Sequence, residues 1–233
     1  MNFTNIKKVF PQTIPVMAGY LSLGMAYGVL MQQAGYHPLW SLAISVFVYA
    51  GTAQFLLVSL LASGAGIVQT AILVLALNFR HFFYGISMIT RYRGTGKWKA
   101  YLIFALTDET YAILSTNEPI EGMSKEHYYA LVSLMDQIYW VTGAVVGAIA
   151  GQFIPFDTTG LDFAMTALFA VLFVEQWKAQ KEHLPAMLGF LVTLIALLIL
   201  GPDHFLIPAL FAISIILLAL QNRLEMKKEG KIA

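Results

Sequence analysis

Cysteine is absent, and charge of either sign is scarce. None of the 233 residues is a cysteine, and Asp, Glu, Lys and Arg together make up 12%. The first absence excludes disulfide frameworks, iron–sulfur clusters and thiolate nucleophiles. The second excludes an ordinary water-exposed surface, which needs about 25% charge. Fourteen basic against thirteen acidic side chains leave a net charge of +1, so no global field selects nucleic acid. His-Glu-x-x-His and a phosphate loop are missing, as is Gly-x-Ser-x-Gly. His37, His127, His183 and His204 fall in loops or at segment ends without metal-ligand spacing. No enzyme, cofactor or metal centre is therefore expected. What fills the chain is apolar: 58% of residues are hydrophobic. The expectation is one integral membrane domain covering 1–233, with the lipid bilayer as its solvent.

A helical crossing of the hydrocarbon core needs about 20 apolar residues. Eight apolar segments can be read, at 12–31, 38–62, 67–90, 100–115, 128–150, 161–177, 184–200 and 204–221. None alternates as a barrel strand does, so the fold class is an all-α polytopic membrane protein. Lys7 and Lys8 precede a first segment too long for a cleaved signal, which is expected to stay as an anchor. Twelve of the fourteen basic residues form four clusters: Lys7 and Lys8; Arg91, Arg93, Lys97 and Lys99; Lys178 and Lys181; Arg223, Lys227, Lys228 and Lys231. The positive-inside rule places all four in the cytoplasm and leaves the loop of Glu118, Glu121 and Glu126 outside. Eight simple crossings cannot satisfy this. Two re-entrant or broken segments can, and 38–62, interrupted at Gly51-Thr52, and 161–177, followed at once by Lys178, are the candidates. The chain then divides into two inverted four-segment halves, a transporter plan. Gly24-x-x-x-Gly28 followed by Gln54-Phe55, and Gly143-x-x-x-Gly147 followed by Gln176-Trp177, fit such halves. Eight plain crossings with one loop violating the charge rule is the alternative.

Several residues are costly in a membrane. Arg80 precedes Arg91 by 11 residues, about 16 Å along a helix, which puts it near mid-membrane if Arg91 marks the interface. Such an arginine must be paired or hydrated. Asn78, His81 and Tyr84 surround it, and Gln54 follows Gly51-Thr52, where a loosened helix frees backbone groups for a ligand. Gln54, Asn78, Arg80, His81 and Tyr84 are the candidate substrate-binding residues; Arg80 in an ion pair and Gln54 bonding a neighbouring helix are the structural alternatives. Asp108 and Glu109, adjacent in 100–115, point about 100° apart on a helix. One suits pairing with Arg80 and the other a cavity. Asp136 is a second candidate partner, and all three carboxyls are candidates for proton coupling. Glu175 reads as interfacial and Asp162 as a helix start. Gly24, Gly28, Gly143 and Gly147 read as helix-packing positions. Trp40, Trp98, Trp140 and Trp177 read as interfacial anchors.

Three of these stretches, Tyr49-Ala-Gly-Thr-Ala-Gln54-Phe55, Asn78-Phe-Arg80-His81-Phe-Phe-Tyr84-Gly85 and Leu106-Thr107-Asp108-Glu109, resemble the AzlC family, the large subunit of bacterial branched-chain amino-acid exporters. The resemblance covers nearly the whole chain, although the second half matches mainly by hydropathy. It implies export of a hydrophobic amino acid across the bacterial cytoplasmic (inner) membrane, together with a small AzlD-type membrane subunit. No nucleotide-binding motif is present, so a gradient, of protons above all, would drive transport. A membrane-embedded enzyme acting on lipid and a non-transporting interaction subunit are the competing classes.

Overall fold

The computed structural model describes residues 3–153, 170, 173, 174, 177, 183–201, 205, 208, 209, 211–217, 219 and 220. Asp162, Glu175, Gln176, the basic clusters from Lys178 onward, His204 and most of the expected segment 161–177 lie outside them. The chain forms two compact units, Met1–Asp162 and Phe163–Ala233. Among the described residues the structure is helical. In the first unit α1 (Phe3–Gln33) and α8 (Lys125–Ala150) are long unbroken helices. Between them lie α2 (Pro38–Phe47), α3 (Gly51–Ala62), α4 (Ile67–Asn78), α5 (Arg80–Met88), a 3-10 turn at Gly96–Trp98, α6 (Lys99–Phe104) and α7 (Asp108–Thr116). In the second unit α9 spans Leu184–Leu200, and the Trp177 and His183 rings stack 4.1 Å apart.

Helices α1 and α8 are each long and apolar enough to cross a membrane. They pack along their length, and the reason is glycine. A Cβ on Gly24 would stand 2.9 Å from the Trp140 carbonyl, and one on Gly143 2.8 Å from the Leu21 carbonyl. Gly28 meets the Ala144 backbone and Gly147 the Met25 backbone. Only glycine lets the two backbones approach this closely. The two glycine pairs expected to mark separate halves thus face each other.

Partner numbers rise together along this contact. Tyr128 donates to Gln12, Gly24 meets Trp140 and Ala144, and Gln32 lies on Gly151. Helices α1 and α8 are therefore parallel. This corrects the inverted relation expected between 12–31 and 128–150, and the cause lies in 100–115. That stretch does not cross. It breaks at 105–107, where Thr107 caps α7 by accepting from the Thr110 N–H, and α7 turns back. Tyr101 at the ingoing arm donates to Gln137, while Leu114 on the outgoing arm returns to the cluster of Val9, Tyr92, Tyr128 and Tyr129. Asp108 and Glu109 accordingly sit in the first turn of a helix, where its dipole favours acid, rather than mid-helix.

The stretch 38–62 also turns back, as expected. Helix α2 starts beside the C-terminal end of α1, and the Val46 carbonyl on its descent accepts from Gln137. The chain breaks at 48–50, where Tyr49 takes φ +44°, a conformation uncommon for a non-glycine residue. Helix α3 then returns, with Gln54 donating to Ser45 across the hairpin. The α4–α5 pair bends by 46° at Phe79 and is long enough together for a third span. It ends at Met88, in the core at the N-terminal ends of α1 and α8.

The acidic loop is a second correction. Arg91 donates to the Leu114 and Ser115 carbonyls and pairs with Glu118 at 3.3 Å. The loop 118–126 therefore shares one end with Arg91 rather than lying opposite. This arrangement has a direct check. The chain has no native cysteine, so single cysteines at Lys97 and Glu121 are expected to resist an impermeant thiol reagent outside intact cells, and one at Ser63 to react. Glu121→Cys reacting like Ser63→Cys would refute the turned-back α6–α7 hairpin.

Candidate functional site

The three helix breaks, at 48–50, Phe79 and 105–107, meet beside the middle of α1 and α8. Three helices, α3, α5 and α7, begin there. Arg80 at the start of α5 binds Asp108 at the start of α7, Nη1 to Oδ2 at 2.7 Å, and donates through Nη2 to Thr52 Oγ1 in the first turn of α3 at 3.1 Å. One guanidinium thus ties the three interrupted segments together. Arg80 Nε and Asp108 Oδ1 have no hydrogen-bond partner in the structure. The side chains are 37% and 20% exposed, so the pair is reachable rather than sealed. In water such a pair contributes about 0–1 kcal/mol. At membrane depth the deciding quantity is the cost of leaving the arginine unpaired, about 3 kcal/mol or more.

A cavity of about 360 Å³ adjoins this junction, within the range of small-molecule sites. Val48, Tyr49 and Ala50 line it from the first break, Asn78 and His81 from the second, and Phe104 and Leu106 from the third. Ile89, Tyr92, Lys99 and Ile103 extend it toward the Arg91 end. The wall is mostly apolar, with a few convergent polar groups. His81 Nδ1 lies 3.2 Å from the Asn78 carbonyl. With Nδ1–H donating to that carbonyl, a neutral His81 ring keeps Nε2 as an acceptor. The Tyr49 and Tyr92 hydroxyls are buried without a hydrogen-bond partner.

The candidate residues separate by position. Asn78 and His81 line the cavity. Arg80 does not; it is engaged with Asp108 and Thr52. Tyr84 stacks on Tyr111, centroids 4.6 Å apart. Gln54 is fully buried, donating to Ser45 and accepting from Trp140 Nε1 at 2.8 Å, so its amide is occupied between helices. Trp140 is 3% exposed and packs on Tyr20 and Tyr27, which corrects its reading as an interfacial anchor. Asp136 is no partner of Arg80; it accepts from Thr110 at 2.8 Å. Glu109 accepts from Tyr20 at 2.7 Å.

Sequence reasoning missed Tyr20, Tyr49, Thr52, Tyr92, Lys99 and Thr110. Thr107-Asp108-Glu109 did carry a signal, since a threonine before two acids marks a helix start. Tyr49 carried none, because its backbone conformation follows from the hairpin it closes.

The AzlC protein family model matches residues 15–154, the portion that contains the whole junction. The branched-chain amino acid transport protein AzlC of Bacillus subtilis (strain 168) is 41% identical over 219 residues, covering 94% of this chain and 86% of that protein. An uncharacterized membrane protein of Helicobacter pylori is 40% identical over 94% of this chain and 96% of its own length. The inner membrane protein YgaZ of Escherichia coli (strain K12) is 29% identical over 73% and 72%. No solved structure matches the chain. With the motifs, the helical architecture and these relatives in agreement, the chain is an integral membrane protein that belongs to the AzlC family.

Proposed function

We propose that this chain exports hydrophobic, branched-chain-type amino acids across the cytoplasmic membrane as a proton-coupled secondary transporter, working with a small AzlD-type membrane subunit. The observation that carries the reading is the cavity at three interrupted segments, since broken helices near mid-membrane are where transporters bind polar solutes. The branched-chain amino acid transport protein of B. subtilis, a relative at 41% identity, supports the substrate class. Val48, Ile89, Ile103, Phe104 and Leu106 offer a surface for a branched side chain, and Asn78, His81 and Lys99 offer partners for the zwitterionic head. The cavity extends toward Lys99, at the end bearing the basic loop 91–99, which suits loading from the cytoplasm.

A topology follows. Taking α1, α4–α5 and α8 as crossings and both hairpins as re-entrant leaves residue 150 on the outer side. Lys7 and Lys8 and the Arg91–Lys99 cluster then fall in the cytoplasm, as the charge rule requires. This plan keeps the re-entrant 38–62 and adds 100–115; the re-entrant reading of 161–177 lies outside the described residues.

Three outcomes test the reading. Proteoliposomes containing the chain, with and without an AzlD-type subunit, are expected to move labelled leucine in response to a proton gradient. Modification of lipid without flux, or no flux with the subunit present, would contradict it. At the site, His81→Phe is expected to fold normally and weaken leucine affinity on the order of tenfold, one lost hydrogen bond to a charged group. Arg80→Ala is expected instead to lower the detergent-extracted yield, and adding Asp108→Ala to restore part of it, because an unpaired charge costs more than a missing pair. Normal yield for Arg80→Ala alone, combined with lost leucine binding, would return Arg80 to a substrate-binding role.

A further inference from the structure

Four short oxygen–oxygen contacts run in series through the base of the junction. Glu109 Oε2 meets the Tyr20 hydroxyl at 2.7 Å. Tyr20 meets Thr107 Oγ1 at 2.6 Å, Thr107 meets Thr110 Oγ1 at 3.1 Å, and Thr110 meets Asp136 Oδ2 at 2.8 Å. A carboxyl group stands at each end, and three hydroxyls lie between.

The proton count decides what this chain is. Each hydroxyl carries one proton to donate, so three protons serve four contacts. With both carboxyls ionised, one contact, between Tyr20 and Thr107 as the donors are otherwise arranged, would hold two oxygens together with nothing between them. One further proton on either carboxyl satisfies all four. Burial supports this. Thr110 and Asp136 are fully buried, and Tyr20 and Thr107 nearly so. Asp136 Oδ1 has no hydrogen-bond partner, which an ionised oxygen tolerates poorly. Glu109 is less buried than Asp136.

We propose that Glu109 and Asp136 hold one proton between them, exchanged through Tyr20, Thr107 and Thr110. In one state Asp136 donates to Thr110, Thr110 to Thr107, Thr107 to Tyr20, and Tyr20 to an ionised Glu109. In the other every bond runs the opposite way and Asp136 is ionised. Passing between them breaks four O–H bonds and forms four. The negative charge moves from Glu109 to Asp136, every hydroxyl stays neutral, and no other reactant takes part. Among the described residues, the remaining titratable groups facing the pair are Arg80 and Asp108, bound to each other, Tyr49 at the first break, Tyr84, which stacks on Tyr111, Tyr101, which donates to Gln137, and Tyr139, within hydrogen-bond distance of Thr13. That this proton drives transport rests on the reading above; that it is shared does not.

Infrared spectroscopy of the reconstituted full-length chain at neutral pH tests the sharing. The wild type is expected to show the carbonyl stretch of one protonated carboxyl per chain, shifting in deuterated water. Glu109→Gln and Asp136→Asn are each expected to abolish it, because either amide donates the missing hydrogen and the opposite carboxylate then ionises. A protonated carboxyl isolated by burial alone would vanish in one variant and survive in the other, which would overturn the proposal. So would absence of the band from the wild type, a result that needs no variant to fold. Flux measured on the same samples separates the two claims: the band without flux retains the shared proton and removes transport, and flux without the band does the reverse.

Discussion

The bond from Arg80 to Asp108 and Thr52 is the constraint around which the first unit is arranged. An arginine at this depth must have partners, and here it takes them from two other interrupted segments. The breaks make this possible. A continuous helix presents its backbone groups to itself, whereas a break exposes the first turn of the helix that follows. Thr52, Arg80 and Asp108 all stand in such first turns, so the charges, the free backbone and the neighbouring cavity share one origin.

Around this junction, packing is uneven. Helices α1 and α8 meet backbone to backbone through their glycines, and α8 buries Tyr128, Tyr129, Ser133, Asp136 and Trp140 among other residues. By contrast, no residue of α4 is buried, and Met88 alone is buried in α5. Few buried contacts mean a low cost of local rearrangement. The α4–α5 segment, which carries Asn78, Arg80 and His81, thus presents most of its surface outward.

The charged residues were legible in the sequence because a membrane leaves few places for charge; pairing of Arg80 with Asp108 was among the expected solutions. The glycine pairs were legible as packing sites but not as partners of each other, since spacing gives a face and not what it meets. The break in 38–62 announced itself through Gly51-Thr52. The break in 100–115 was hidden because hydropathy averages over Thr107-Asp108-Glu109 between apolar flanks. That one omission inverted the direction assigned to α8 and the side assigned to Glu118, because each turned-back segment changes the parity of every crossing after it. Trp140 was misplaced for a related reason. An indole N–H in a membrane segment is usually met by interfacial water, and only the fold reveals that Gln54 meets it instead.

Two hairpins, starting at opposite ends of α1 and α8, meet beside the middle of these helices. Tyr49 closes one, and Phe104 precedes the turn of the other; their rings lie 6.2 Å apart. Cysteines at these two positions, in a chain otherwise free of them, provide the most direct measurement. A short bifunctional thiol reagent is expected to join Tyr49→Cys to Phe104→Cys within one chain, while each single variant reacts at one thiol only and forms no bridge. If the pair cannot be bridged in folded protein, the two tips do not meet, and the junction as described does not exist.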